Sequence, residues 1–360
     1  MQADLEPSGP FRDVAQNSLG RSAWLYLRLV VSSNPLALSA TMTADLAKVE
    51  VELRQAVITE DPFLTEVASH LILAGGKRIR PGFCLVASLA QDIEDRAAAH
   101  EVIMGAVSVE LVHLGSLYHD DVMDDAVTRR TVESVNAKWG NLKAILAGDF
   151  LLARASEIAA SLGTEVAGLL ANTIARLCEG QVRELRDAYN LSRTEEAYIT
   201  SINGKTAALL ATSCRVGAIV ADLPRSIVTT LTEFGLRYGM AFQVVDDILD
   251  VVATDEELGK PSGNDLVEGI YNLPVLHALR SPVGDDLRAV LGDKLDPAAR
   301  ETARALVKRS GAIESALQIA QRYADEAAAA LAPLDGTVAG RSLGAAADDL
   351  MARVAAAAAG

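Results

Sequence analysis

Residues 97–126 read AAAHEVIMGAVSVELVHLGSLYHDDVMDDA. Val107, Leu111, Val112, Leu114 and Leu117 recur at helical spacing, and the run ends in a cluster of aspartates. The segment lies between Pro81 and Pro224, a stretch without proline although the chain has 11. So long a run free of the main helix breaker, and rich in Ala and Leu, reads as several consecutive helices. Aromatics make up only 4% of the 360 residues, whereas sheet proteins lean on aromatic and β-branched side chains. An all-α fold of about a dozen helices is the expectation. Helical periodicity runs over 45–58, 63–73, 82–91, 97–126, 138–161, 165–190, 195–222, 226–253, 272–280, 285–291, 298–310, 312–331 and 341–358. Gly75-Gly76, Pro224, Gly259 to Gly263, Pro282 and Pro297 supply the breaks.

Half the residues are apolar and 22% are charged, which excludes a disordered chain. With 33 basic residues against 48 acidic, the formal charge is −15. Nucleic acid is a poor partner for such a surface, because that binding runs on Lys and Arg displacing counterions. Cys84, Cys178 and Cys214 are odd in number and widely spaced, and read as buried free thiols in a reducing compartment. No apolar run approaches the ~20 residues of a transmembrane helix. Asp4 and Glu6 stand where a secretory signal needs basic residues. A cytoplasmic chain with peripheral membrane contact at most is expected. Pro7, Gly9, Pro10, Gly20 and Pro35 mark residues 1–41 as a disordered extension ahead of one helical domain, 42–360. The Ala355 to Ala359 tail reads as a fraying helix without chemistry.

The chemistry lies in two acidic clusters. Asp120-Asp121-Val122-Met123-Asp124-Asp125 closes the first helix, with Asp120 and Asp124 on one face a turn apart. Like charges so placed destabilise a helix unless a cation neutralises them. The pattern returns as Asp246-Asp247-Ile248-Leu249-Asp250, again within an apolar helix. If the two helices face each other, their carboxylates form one hard-oxygen site suited to Mg²⁺ held jointly with substrate phosphates. Basic residues supply the complement. Gly75-Gly76-Lys77-Arg78-Ile79-Arg80-Pro81 sets three cations on a glycine-led turn. Arg129-Arg130 follows the first cluster, Lys205-Thr206 follows Gly204, and Lys260 follows the second cluster.

GGKRIRP (75–81), HLGSLYHDDVMDD (113–125) with Arg129-Arg130, GKT (204–206), FQVVDDILD (242–250) and GKPSGNDL (259–266) stand in the order found in trans-isoprenyl diphosphate synthases, also called polyprenyl synthetases. The chain resembles the medium- and long-chain members of that family from about residue 45 to its end. The resemblance implies the isoprenoid synthase fold, helices around a deep central cavity, in a homodimer. It implies that Lys77, Arg80, His113 and Arg130 bind isopentenyl diphosphate, with Gly76 allowing close approach. Asp120, Asp124, Asp246 and Asp250 would ligate Mg²⁺, about three ions per site, with Asp121 and Asp247 in support. Arg129, Lys205 and Lys260 would contact the allylic diphosphate, and Thr206 and Gln243 would face the reacting carbons. The product would pass to membrane enzymes.

The growing tail is expected to run back along the helix that ends in Asp120, past Ser116, Gly115 and Val112. Small residues at 115 and 116, where short-chain relatives carry an aromatic, point to a product beyond geranylgeranyl. A farnesyl or geranylgeranyl synthase is the alternative, with a helix near Phe150 to Ile158 closing the tunnel. Ile270 stands where the family commonly has lysine, and Thr131 where glycine is frequent. A terpene cyclase would lack the second aspartate cluster, and a non-catalytic subunit would lack several motifs. Neither matches this chain.

Overall fold

The computed structural model describes residues 34–254 and 262–359. Helix follows helix: α1 (Ala40–Ala56), α2 (Pro62–Leu73), α3 (Ile79–Ala87) and α4 (His100–Met123). After a two-stranded hairpin, β1 (Thr128–Arg129) and β2 (Val132–Glu133), come α5 (Val135–Trp139), α6 (Asn141–Ser161), α7 (Thr164–Arg186) and α8 (Glu195–Ile202). A π-helical turn over Asn203–Ala207 leads into α9 (Ala208–Val220) and the long α10 (Arg225–Val252). The remainder is α11 (Asn264–Val267), α12 (Leu273–Ala278), α13 (Gly284–Val290), α14 (Pro297–Lys308), α15 (Ala312–Ala330) and α16 (Val338–Ala359). The expected all-α architecture is borne out.

Prolines sit where a missing N–H costs nothing. Pro62 and Pro297 open α2 and α14, and Asp61 and Asp296 cap those first turns. α4 lies at the centre, packed on α1, α3, α6 and α9, while α10 packs on α9, α15 and the π turn. The central helix is long and apolar enough to cross a membrane, yet 72% of its apolar window is buried inside the protein. Its hydrophobic residues serve the core, which corrects the expectation that no such run exists.

Four further readings change. Asn34 and Leu36 are buried, and the Asn34 amide donates to the Arg78 carbonyl at 2.8 Å. The packed domain therefore includes residues ahead of position 42. The helix read as 138–161 breaks at Gly140, whose φ of 89° no ordinary helix adopts. The segment read as one helix over 195–222 is interrupted by the π turn. Cys84 and Cys214 are buried free thiols as expected, but Cys178, on α7, is exposed.

Candidate active site

α4 carries the first acidic cluster at its C-terminal end. Burial lifts the Asp120 and Asp124 carboxyls above their ordinary value, against the pull of Lys205 and Arg129. Asp121 is engaged differently. Its Oδ1 accepts from Arg129 Nε at 2.6 Å and lies 2.6 Å from Nη2, so this carboxylate orients Arg129. Lys205, from the π turn, is ion-paired with Glu184 of α7. Burial opposes its charge, but Glu184, Asp120 and Asp124 outweigh that and hold the ammonium above its usual value.

The π turn explains how Lys205 and Thr206 reach the site. Gly204 lies against Gly180 of α7, and a Cβ on Gly180 would stand 2.9 Å from the Ser201 carbonyl oxygen. This close crossing admits only glycine, and the widened turn aims the residues after it inward. Thr206 Oγ1 donates to Gln243 Oε1 at 2.5 Å, and Gln243 Nε2 donates to Asp247 Oδ1 at 2.9 Å. Tyr198 of α8 donates its hydroxyl to Asp247 Oδ2 at 2.5 Å. Burial pushes the Asp247 carboxyl up to about 7 in spite of these bonds, with Asp246 and Glu184 adding to the rise. The Glu184 charge raises Asp120, Asp124 and Asp247 alike, so both acidic helices lie within reach of one glutamate.

Asp246 is exposed and faces Lys77 and Arg80, whose cations it supports against the effect of burial. His113 is held neutral by burial and by the guanidinium groups of Arg80 and Arg130. Arg130 donates to the Leu71 carbonyl at 3.1 Å and to the Gly75 carbonyl. Burial draws Arg130 down to about 10. Gly76, with φ at 152°, is covered by that guanidinium, and a Cβ there would lie 2.8 Å from Arg130 Cζ. What approaches Gly76 closely is therefore Arg130 itself.

Arg78, one of the three cations on the turn, does not serve a ligand. It is buried, in a left-handed conformation (φ 49°), and bonds Glu50 of α1 and Glu110 of α4, the latter at 2.9 Å. Asp250 is buried and accepts from the Asp265 N–H at 3.3 Å. Lys260 lies outside the described residues. Three contributors escaped the sequence reading: Glu184, Tyr198 and Arg353 of α16, which stands close enough to Lys77 to oppose its charge. No motif in the sequence singles out these three residues, which join the site only through packing between separate helices.

Asp120 and Lys205 stand at the head of a groove of about 420 Å³ between α4, α6 and α7, lined further along by Ser116, Leu152, Ile174 and Leu177. Of the expected tail-lining residues only Ser116 borders it. Gly115 is packed at the α4–α6 crossing, where a Cβ would meet Leu152 Cγ at 3.0 Å and the Gly148 carbonyl at 3.1 Å, and Val112 is buried in the core. Among the described residues no three Asp, Glu, His or Cys side chains close around a metal position. The donors are nonetheless hard carboxylate oxygens, with the Asp120 and Asp124 carboxyls raised by burial, which suits a cation whose shell is completed by phosphate oxygens.

Helices surrounding an apolar groove, with carboxylates and cations gathered at one end, define an isoprenoid-synthase type of site. The sequence profile of the polyprenyl synthetases matches residues 61–308, and the chain belongs to that family of prenyltransferases. It is 42% identical over 292 residues to heptaprenyl diphosphate synthase component 2 of Geobacillus stearothermophilus, covering 81% of this chain and 90% of that one. The nonaprenyl diphosphate synthase of Mycobacterium tuberculosis is 38% identical over 322 residues, 88% and 94% of the two chains. Among solved structures, the Caulobacter crescentus polyprenyl synthase complexed with calcium and isoprenyl diphosphate superposes with a TM-score of 0.81 at 33% identity, covering 86% and 95% of the chains.

Proposed function

We propose that the chain condenses isopentenyl diphosphate with an allylic prenyl diphosphate to give a medium- to long-chain all-trans polyprenyl diphosphate and diphosphate. The observation that carries this is the gathering of Asp120, Asp124, Lys205 and Glu184 at the head of an apolar groove, with Asp247 coupled to the same glutamate. Lys77, Arg80, Arg130 and neutral His113 hold the diphosphate of isopentenyl diphosphate. Asp120, Asp124, Asp246 and Asp250 would hold Mg²⁺, which when bound neutralises the charge of the departing diphosphate. Lys205 and Arg129, fixed by Glu184 and Asp121, contact that same leaving group. Thr206 and Gln243 line the space between, and the groove walls keep water from the allylic cation. The proton lost after condensation leaves with diphosphate, so no side-chain base is required.

Relatives named for heptaprenyl and nonaprenyl products support the chain length, as does the small Ser116 on the groove wall. The second copy of a homodimer is proposed as the partner, and the free thiols favour a cytoplasmic location. Purified protein with Mg²⁺, isopentenyl diphosphate and farnesyl or geranylgeranyl diphosphate is expected to yield products longer than C20, read by mass. Asp120→Ala and Asp246→Ala should each lower turnover by at least about a thousandfold. Near-normal rates in either variant would remove the proposed site, and products stopping at C20 would remove the chain-length assignment.

A further inference from the structure

Beside the apolar groove lies a second cavity of about 340 Å³, and Met123, Gln181 and Leu185 line both. Its polar wall holds Asp124, Asp125, Glu184 and Glu268, and Lys294 is the basic residue lining it among the described residues. Ile270, the residue that stands in place of the family's common lysine, lines it too.

We infer that Lys294 is a diphosphate-binding residue of the allylic site, supplying from a neighbouring loop the cation that position 270 lacks. The loop is built to hold it there. Tyr271, next to Ile270 and fully buried, accepts a hydrogen bond from the Gly292 N–H at 2.8 Å, and Arg193 Nη1 donates to the Tyr271 carbonyl at 3.1 Å. Leu291 and Leu295 are buried on either side, so an exposed Lys294 rises from an anchored base. The segment that lost the lysine and the loop that carries one are therefore tied together.

Two observations turn the amine toward a ligand. Glu184 is already bonded by Lys205, and Lys294 forms no ion pair among the described residues. Gln181, only 9% exposed, borders both cavities and leaves its acceptor Oε1 without a partner, which calls for a donor such as a water carried in with the cation that accompanies a diphosphate. With the tail of an allylic substrate in the apolar groove, its diphosphate comes at the junction of the two cavities. A lysine on a four-carbon stem reaches phosphate oxygens as a point charge and tolerates placement from either segment.

The inference rests on the proposed condensation, and the wild-type assay separates the two. No polyprenyl product from wild-type protein defeats the proposed function; turnover with no effect at Lys294 defeats only this step. Lys294→Met should raise KM for the allylic diphosphate about tenfold, with KM for isopentenyl diphosphate changed less than about twofold. Calorimetric titration with inorganic diphosphate and Mg²⁺ should show a comparable loss of affinity. Adding Ile270→Lys to that variant should restore both values to within about threefold of wild type, which a merely structural lysine would not allow. An unchanged allylic KM, an equal rise for both substrates, or a double variant as weak as the single one would overturn the assignment.

Discussion

Arg78 and Lys77 are neighbours on one turn and do opposite things. Nothing local separates them, because Glu50 and Glu110 reach Arg78 from helices distant in sequence. Arg78→Met leaves two buried carboxylates without their guanidinium and should cost about 3–5 kcal/mol of stability. Lys77→Met should leave the melting temperature nearly unchanged while raising KM for isopentenyl diphosphate. Equal melting temperatures for the two variants would contradict this division. Asp247 offers a second residue-level test, because its carboxyl lies at about 7 against 3.8 in an open chain. A raised carboxyl favours the folded state while protonated; that contribution is complete below about pH 4 and is lost as pH rises through about 7. Asp120, Asp121 and Asp124 shift in the same direction. The metal-free protein should therefore melt lower at about pH 8 than at about pH 5, and Asp247→Asn should flatten that slope. Mg²⁺ with inorganic diphosphate, which favours the ionised carboxylates, should raise the melting temperature more at the higher pH. A larger effect at the lower pH would show that these carboxylates are not the binding groups.

Helices were legible wherever apolar periodicity and proline placement agreed, and obscure where geometry alone decides. Residues 195–222 keep helical periodicity throughout, so the π turn left no trace in the pattern; its cause is Gly204 against Gly180, a contact between separate helices. Gly180→Ala would press a methyl group on backbone atoms of the π turn that cannot yield. A loss of about 1–3 kcal/mol in stability is expected, with a fall in turnover larger than the melting shift explains, since Lys205 and Thr206 are displaced together. The hairpin was hidden for a different reason. Its turn residues are Arg130 (φ 52°) and Thr131 (φ 64°), without the Asn-Gly signal of such turns. Arg130 is held there by the Leu71 and Gly75 carbonyls, whereas Thr131 is exposed and, among the described residues, its hydroxyl bonds only the Arg130 carbonyl. Glycine would suit position 131 better, since a left-handed residue with a side chain is strained by about 1–2 kcal/mol. Thr131→Gly should raise stability by about 1 kcal/mol in thermal melting with activity kept. A lower melting temperature would mean that the threonine hydroxyl matters more than the strain.

At the scale of the whole molecule, sequence order gave both acidic helices and their cations, but not how the groove between α4, α6 and α7 ends. Its outer wall is unusually apolar: Leu142 is 72% exposed, Leu146 57% and Val182 53%, with Ile145 and Leu185 beside them. Apolar surface of this kind on a chain otherwise so acidic fits the seat of the proposed second copy. Periodicity could not announce it, because an outward apolar stripe and a core stripe look alike until packing separates them. Ile145, Val182 and Leu185 also line the groove, so a second copy seated there would close the space in which the allylic cation forms. A different chain seated on the same face is the outcome to be told apart from a second copy. Light scattering on the protein alone decides between them, with a dimer expected. Leu146→Glu combined with Val182→Glu should give a folded monomer whose turnover falls at least about tenfold, because water gains access to the groove. A wild-type monomer that becomes active only when a second, different chain is supplied would replace the homodimer. A double variant that stays dimeric would move the contact to another face.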